Sequence, residues 1–269
     1  MPVLSDIELV EHAVREAGAI ARGFYGGHYK QWDKGKGQPV TDADVAVDRY
    51  LRETLRAARP DYGWLSEETE DDRTRLGAEN AFVVDPIDGT IAFLKGRPHF
   101  AVSVAIVRRN RPVTACVYNP VMEEFFAASK GRGATLNGAA IHVSATSALE
   151  GCRVLAAKDM LTHPAWGKPP LEPWPAMHIE SRNSIAYRMA LVAAGTFDAA
   201  LALSTKRDWD MAAADLIVHE AGGAATDHTG ATLLYNRAET LQPSFVCANP
   251  ALHARILERL RNVKLPRSS

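Results

Sequence analysis

The chain has 269 residues, 46% of them hydrophobic and 23% charged, with a formal net charge of -1. That is ordinary globular composition, and the near-neutral balance excludes the Lys/Arg excess of a broad nucleic-acid footprint, so an anionic ligand has to be held locally. No apolar stretch approaches the roughly 20 residues that span a bilayer, and MPVLSDIELVEH lacks the basic segment and apolar core of a signal peptide, so a cytoplasmic protein without membrane contact is expected.

Ser5 with Glu8 three residues later forms a capping-box pattern, and Ile7, Val10, Val14, Ala17, Ala21 and Phe24 continue it at helical spacing. After a Gly-rich loop, KGKGQP at 34–39, Thr41 with Asp44 repeats the pattern, and Val45, Leu51 and Leu55 carry a second helix to Pro60. From 62 to 130 the runs YGWL, AFVV, AVSVAIV, VTACVY and EEFFAAS are short and β-rich, which predicts one antiparallel sheet, and Asn137-Gly138 predicts a hairpin turn. A Pro-rich patch, HPAWGKPPLEPWP at 163–175, offers a junction between lobes, with residues 1–150 expected as an N-terminal α+β lobe and 151–269 as a C-terminal α/β lobe. In the second half an apolar segment at 152–157, a helical SIAYRMALVAAG and a strand-like FDAALAL predict α/β layering. DWDMAAADLIVHEAGG then reads as a helix with Asp208 as N-cap, Asp210 in the first turn and a glycine stop. Asn249-Pro250 opens the last helix. Cys116, Cys152 and Cys247 lie in apolar runs at spacings that suit neither a disulfide framework nor a zinc site, and read as buried reduced thiols.

Asp44, Glu67, Asp85, Asp88 and Asp210 share one property: each falls at the end of a predicted element beside apolar residues. Carboxylates brought together there repel one another and require cations, and an all-oxygen set without His or Cys suits Mg2+ or Mn2+ over zinc. In VVDPIDGT, Pro86 turns the chain so that Asp85 and Asp88 point to one side, the Ile87 carbonyl stays available as an oxygen ligand, Gly89 permits close backbone approach, and Thr90 offers a hydroxyl at a helix start. Two cations about 3.5 to 4 Å apart can hold a phosphomonoester and activate a water. Taken alone, DPIDGT reads equally as a turn with solvated aspartates, Glu67-Glu68 as a solvated acidic loop, and Asp44 and Asp210 as helix-dipole partners.

Four segments in order resemble the inositol monophosphatase family, a branch of the lithium-sensitive, magnesium-dependent phosphatases. PVTDAD at 39–44 is similar to the family's PVTxAD, SEE at 66–68 to its G/SEE, VDPIDGT at 84–90 to its first signature, and WDMAAA at 209–214 through EAGG at 220–223 to its second. The resemblance implies a layered αβαβα fold of the fructose-bisphosphatase type, a homodimer, and hydrolysis of a phosphomonoester by a water activated by a pair or trio of Mg2+ ions. It implies that Glu67, Asp85, Asp88, Asp210 and the Ile87 carbonyl ligate metal, that Asp44 with Thr90, assisted by Glu67, handles the water, and that Asp88, Gly89, Thr90 and Asp210 contact substrate. Lys36 would belong to a flap that closes over the metals.

The chain departs from the inositol-specific pattern at Ala92-Phe93, where Asn-Phe is common, and at Leu203, where a Glu holds sugar hydroxyls. Lys206 and Arg207 stand beside the expected metal site and suit a second phosphate. The expected substrate is therefore a small phosphorylated metabolite, in the first place a 3'(2'),5'-bisphosphorylated nucleotide as in the bacterial nucleotidase branch, and in the second inositol 1-phosphate. A reading of another class is an interaction protein with secondary phosphatase activity, since some bacterial relatives are thought to serve the transcription machinery.

Overall fold

The computed structural model describes residues 4–35 and 39–265, so Lys36 lies outside the described residues. Helix α1 (Asp6–Phe24) opens with the expected capping box, Ser5 accepting from the Glu8 amide while Glu8 accepts from the Ser5 amide at 2.9 Å. After strands β1 (Gln31–Asp33) and β2 (Pro39–Thr41), helix α2 (Asp42–Ala58) repeats the device with Thr41 and Asp44. The apolar stripes of both helices, among them Val10, Val14, Ala17, Val47, Leu51 and Leu55, bury themselves on one face of a seven-stranded sheet.

That sheet holds β3 (Gly63–Ser66), β4 (Asn80–Asp88), β5 (Ala101–Arg108), β6 (Arg111–Asn119), β7 (Glu124–Ser129), β8 (Ala134–Leu136) and β9 (Ala139–Ala140) in chain order. It is mixed and not wholly antiparallel as the sequence predicts, because β3 runs parallel to β4. Alternate residues serve opposite layers: Phe82 and Val84 face α1 and α2, whereas Val83 faces the interior of the molecule. Both faces are covered, which is why these strands read as continuous apolar runs. The β8–β9 hairpin turns on Asn137 and Gly138, both at positive φ, as expected.

Gly63 in β3 has a packing reason. A Cβ there would sit 2.6 Å from Cβ and 2.7 Å from Cα of Arg75, whose buried guanidinium is tied to Asp71 and Asn236. Gly63→Ala is expected to cost about 1–3 kcal/mol of stability through overpacking, read as a lower urea midpoint; an unchanged midpoint would contradict this packing.

The second half builds a five-stranded sheet from β10 (Arg153–Leu155), β11 (His178–Glu180), β12 (Ala199–Ala202), β14 (Ala224–Thr226) and β16 (Phe245–Ala248), ordered β11-β10-β12-β16-β14. β13 (Lys206–Arg207) and β15 (Leu241–Gln242) form a separate ribbon. Of the later helices, α4 (Lys158–Leu161) and α7 (Pro250–Leu260) cover the outer face of this sheet. α5 (Ile185–Ala193) and α6 (Asp208–Glu220) lie between the two sheets in the largest core cluster, which draws residues from both halves of the chain. The order helices, sheet, helices, sheet, helices is the αβαβα layering that the resemblance implies. The three cysteines are buried and unpaired, as expected.

Two sequence expectations are corrected here. The Pro-rich patch at 163–175 is no junction between sheets: it connects α4 to β11 within the second half, and its Trp166 and Trp174 pack on one another and on the outer core cluster. Asp208 is the first helical residue of α6 and not its N-cap, which is Arg207; Asp208 is buried and accepts from the Asn236 amide and the Gln242 side chain, so it braces a loop.

Candidate active site

β4 does not stop at Asp85. It continues to Asp88 through a register shift, in which one extra residue on β4 separates the pairs Asp85↔Ser103 and Asp88↔Ala101. Pro86 has no N–H to give to a ladder, so the irregularity falls where the chain can tolerate it. The Asp85 side chain accepts from the Ile87 amide at 3.1 Å, which closes the turn over the bulge.

Asp88 is buried, and one carboxylate oxygen accepts from the Ser184 hydroxyl and the Ala186 amide, each at 2.6 Å. Ser184 is the N-cap of α5, so the helix start that buries itself between the sheets also fixes Asp88. Gly89 follows at φ +96°, and a Cβ would meet the His99 carbonyl at 2.9 Å and the Ser184 amide at 3.0 Å. A side chain is thereby excluded where α3 (Thr90–Leu94) begins.

The Thr90 hydroxyl lies 3.3 Å from Asp44 and 3.1 Å from the Ile87 carbonyl. Asp44 is held in turn by the Thr41 amide at 2.8 Å and the Thr41 hydroxyl at 2.6 Å, the capping box of α2. Asp210, third residue of α6, accepts from the Arg207 amide at 2.8 Å. Glu67 and Glu68 follow the end of β3 and meet Lys34, whose ammonium lies 3.6 Å from Glu67 and 2.6 Å from Glu68. The cation that the described part of the 34–39 loop brings to the carboxylates is thus Lys34.

A cavity of about 220 Å³ is lined by Glu67, Asp85, Asp88, Gly89, Thr90 and Asp210, so the folded chain brings these predicted residues to one place, with Asp44 and the Ile87 carbonyl joined through Thr90. It adjoins a larger cleft of about 890 Å³ that shares Glu67, Asp88 and Asp210 and extends past Leu203, Lys206, Arg207 and Asp159. Lys206 bonds to the carbonyls and hydroxyl of its own turn at Ser204 and Thr205, while Arg207 lies over the Trp209 ring, 5.6 Å from its centroid, and reaches Thr240. Leu203 stands on the cleft wall and also packs into the outer core.

Burial, followed by the negative charge of its neighbours, pushes Asp210 up to about 8. Burial also takes Asp88 to about 6 against the hydrogen bonds that favour its charge, and Glu68 to about 7 against its bond to Lys34. Asp85 is raised well above the carboxylate range by burial and by Glu67, Asp88, Asp210 and Asp44; Glu67 and Asp44 are raised as well, burial leading in each. Among the described residues no three His, Cys, Asp or Glu side chains close into a ready-made metal cage. The donor chemistry nevertheless fits a hard cation, being entirely oxygen and electrostatically strained without one.

The sign of the resulting pH dependence is fixed. Folded-state values raised above the unfolded ones mean that the native chain binds more protons between about pH 4 and about pH 8, so the contribution of these groups to stability falls as pH rises across that window. A cation that neutralises them relieves the cost, so Mg2+ is expected to raise Tm more at about pH 8.5 than at about pH 5.5 in calorimetry. Equal increments at both pH values would speak against these carboxylates as the cation site.

Residues 5–265 match the inositol monophosphatase family. The chain belongs to that family. It is 40% identical over 204 residues to the inositol-1-monophosphatase of Rhizobium meliloti, covering 73% of this chain and 75% of that one. It is 35% identical over 204 residues to the Nus factor SuhB of Vibrio cholerae, covering 74% and 75%. Among solved structures, the extragenic suppressor protein suhB of Bartonella henselae superposes with a TM-score of 0.80 at 29% identity, over 96% of this chain and 98% of that one. The Rhizobium meliloti relative is a phosphatase by name, and so is the family.

Ser184, Asn183, Asp159 and Arg188 belong to the same site and are not singled out by the sequence, whereas Lys34 is one of the lysines of the KGKGQP loop that the resemblance sets against the ligand charge. Ser184 had a signal, an N-cap residue before an apolar helix. Arg188 had one too, a lone charge inside SIAYRMALVAAG.

Proposed function

We propose that this protein is a Mg2+-dependent phosphomonoesterase of a small phosphorylated metabolite, and that its preferred substrate is a 3'(2'),5'-bisphosphorylated nucleotide. The observation that carries this reading is the continuity of the carboxylate cavity with a cleft whose wall holds Lys206 and Arg207. Glu67, Asp85, Asp88, Asp210 and the Ile87 carbonyl would hold the cations, which supply Lewis acidity toward a phosphoryl oxygen and lower the pKa of a bound water. The chain's own part is to hold reactants in place. Asp44 and Thr90 form a hydrogen-bonded pair that accepts a proton from a water and orients it. Gly89 and Thr90 open α3 on the cavity and give the phosphate a side-chain-free approach. Leu203 offers no carboxylate to sugar hydroxyls, whereas Lys206 offers a charge to a second anion.

A second reading, inositol-1-monophosphatase, is favoured by the 40% identity to the Rhizobium meliloti enzyme. Similarity to the Nus factor SuhB supports a third, a role outside catalysis, which a catalytically inactive variant that still sustains the cellular role would reveal. kcat/KM measured side by side with Mg2+ on adenosine 3',5'-bisphosphate and inositol 1-phosphate separates the substrates. The nucleotide is expected to lead by at least about tenfold, one unit of RT ln 10 in transition-state binding; a lead for inositol 1-phosphate would replace the first reading by the second.

A further inference from the structure

Arg188 sits one helical turn beyond Ser184 on α5, inside an otherwise apolar helix between the two sheets. It is only 9% exposed, yet among the described residues its guanidinium has no carboxylate within ion-pair distance and its buried Nε has no partner. One terminal nitrogen donates to the Arg182 carbonyl, which anchors the side chain without neutralising it. Burying a cation uncompensated is costly, so a structural arginine is normally paired or forked onto a carboxylate, as Arg75 is on Asp71. Arg188 instead lines the large cleft, as do Asn183 and Lys206. Burial first, and then the Arg188 charge, hold the Lys206 ammonium below its ordinary value against the negative charge of Asp210 and Asp88, and burial likewise lowers Arg188 against the charge of Asp88.

We propose that Arg188, with Lys206, forms the subsite for a second anionic group of the substrate, and that Arg188 is the residue that makes the enzyme prefer a bisphosphorylated over a monophosphorylated metabolite. The inference rests on the phosphomonoesterase reading above. Its chemistry is that of a guanidinium and a second cation, the Lys206 ammonium, lining one cleft that admits a phosphate, a charge-assisted contact in a largely desolvated setting. Arg207, which the sequence also suggests for this role, is engaged with Trp209 and Thr240 and stands further from it in function.

The test compares adenosine 3',5'-bisphosphate with adenosine 3'-monophosphate, which differ only in the 5'-phosphate, and inositol 1,4-bisphosphate with inositol 1-phosphate. In the wild-type enzyme one of the two bisphosphates is expected to exceed its monophosphate in kcat/KM by about 30-fold or more, the worth of a hydrogen bond to a charged group. In Arg188→Met that ratio is expected to fall to about 3 or less, mainly through KM. Arg188→Lys, which keeps the charge, retains part of the ratio, and Arg188→Gln loses it; this pair carries the comparison if the Met variant does not fold. A wild-type preference for the bisphosphate that survives in Arg188→Met and Arg188→Gln overturns the role of Arg188 and leaves the nucleotide reading standing. A preference for the inositol bisphosphate alone, lost on substitution, keeps Arg188 and removes the nucleotide. No preference for either bisphosphate overturns the subsite.

Discussion

Asp88→Asn is expected to lower phosphate release by about 10³-fold, because it withdraws a charge from the point where strand, bulge and helix start converge on the proposed cation site. The substitution is nearly isosteric, and the amide oxygen still accepts from Ser184 and Ala186, so the fold is retained. Indeed the cation-free variant is expected to melt no lower than the wild type near pH 8, since it removes one member of a crowded acidic group whose ionisation burial opposes. Activity within tenfold of wild type, at an unchanged circular-dichroism spectrum, would remove Asp88 from the cation site.

Thr90→Val is expected to lower kcat by about 10² to 10⁴-fold with little change in KM, the range for losing a positioned proton acceptor or its orienting group. The hydroxyl links Asp44 to the Ile87 carbonyl, and valine keeps its shape while leaving Asp44 without that contact. Asp44→Asn should fall in the same range, because its second oxygen continues to cap α2 through Thr41 and the helix start survives. If the two single variants each lose their full effect and the double variant loses no more, Asp44 and Thr90 act as a unit; multiplied losses would separate them.

The capping boxes at Ser5 and Thr41 are legible because they are local: two residues three positions apart decide each. The carboxylates were legible for a related reason, since Glu67, Asp85, Asp88 and Asp210 all stand where apolar runs change direction. Strand direction was not. The run GWLS carries the same alternation whether it joins β4 parallel or antiparallel, and only the placement of α2 and the 67–79 connection makes it parallel. Asp208 and Asp210 are equally good helix-start residues in sequence; what assigns one to a loop brace and the other to the cavity is the position of Gln242 and Asn236, far along the chain. Pro-rich composition marks irregular backbone without saying what it joins, so the place of the 163–175 patch between α4 and β11 is not legible in it. Arg188 illustrates the opposite case. A charge in an apolar helix was visible, but that its guanidinium faces no carboxylate is a tertiary fact.

The most direct measurement is a Mg2+ titration of phosphate release from protein stripped with a chelator, using adenosine 3',5'-bisphosphate, inositol 1-phosphate and fructose 1,6-bisphosphate. Release from at least one substrate is expected to be absent without the cation, to rise and saturate as Mg2+ is added, and to stay absent in Asp88→Asn. Equal release from the stripped enzyme, or no release from any of the three at saturating Mg2+, would contradict a cation-dependent phosphatase built on these carboxylates.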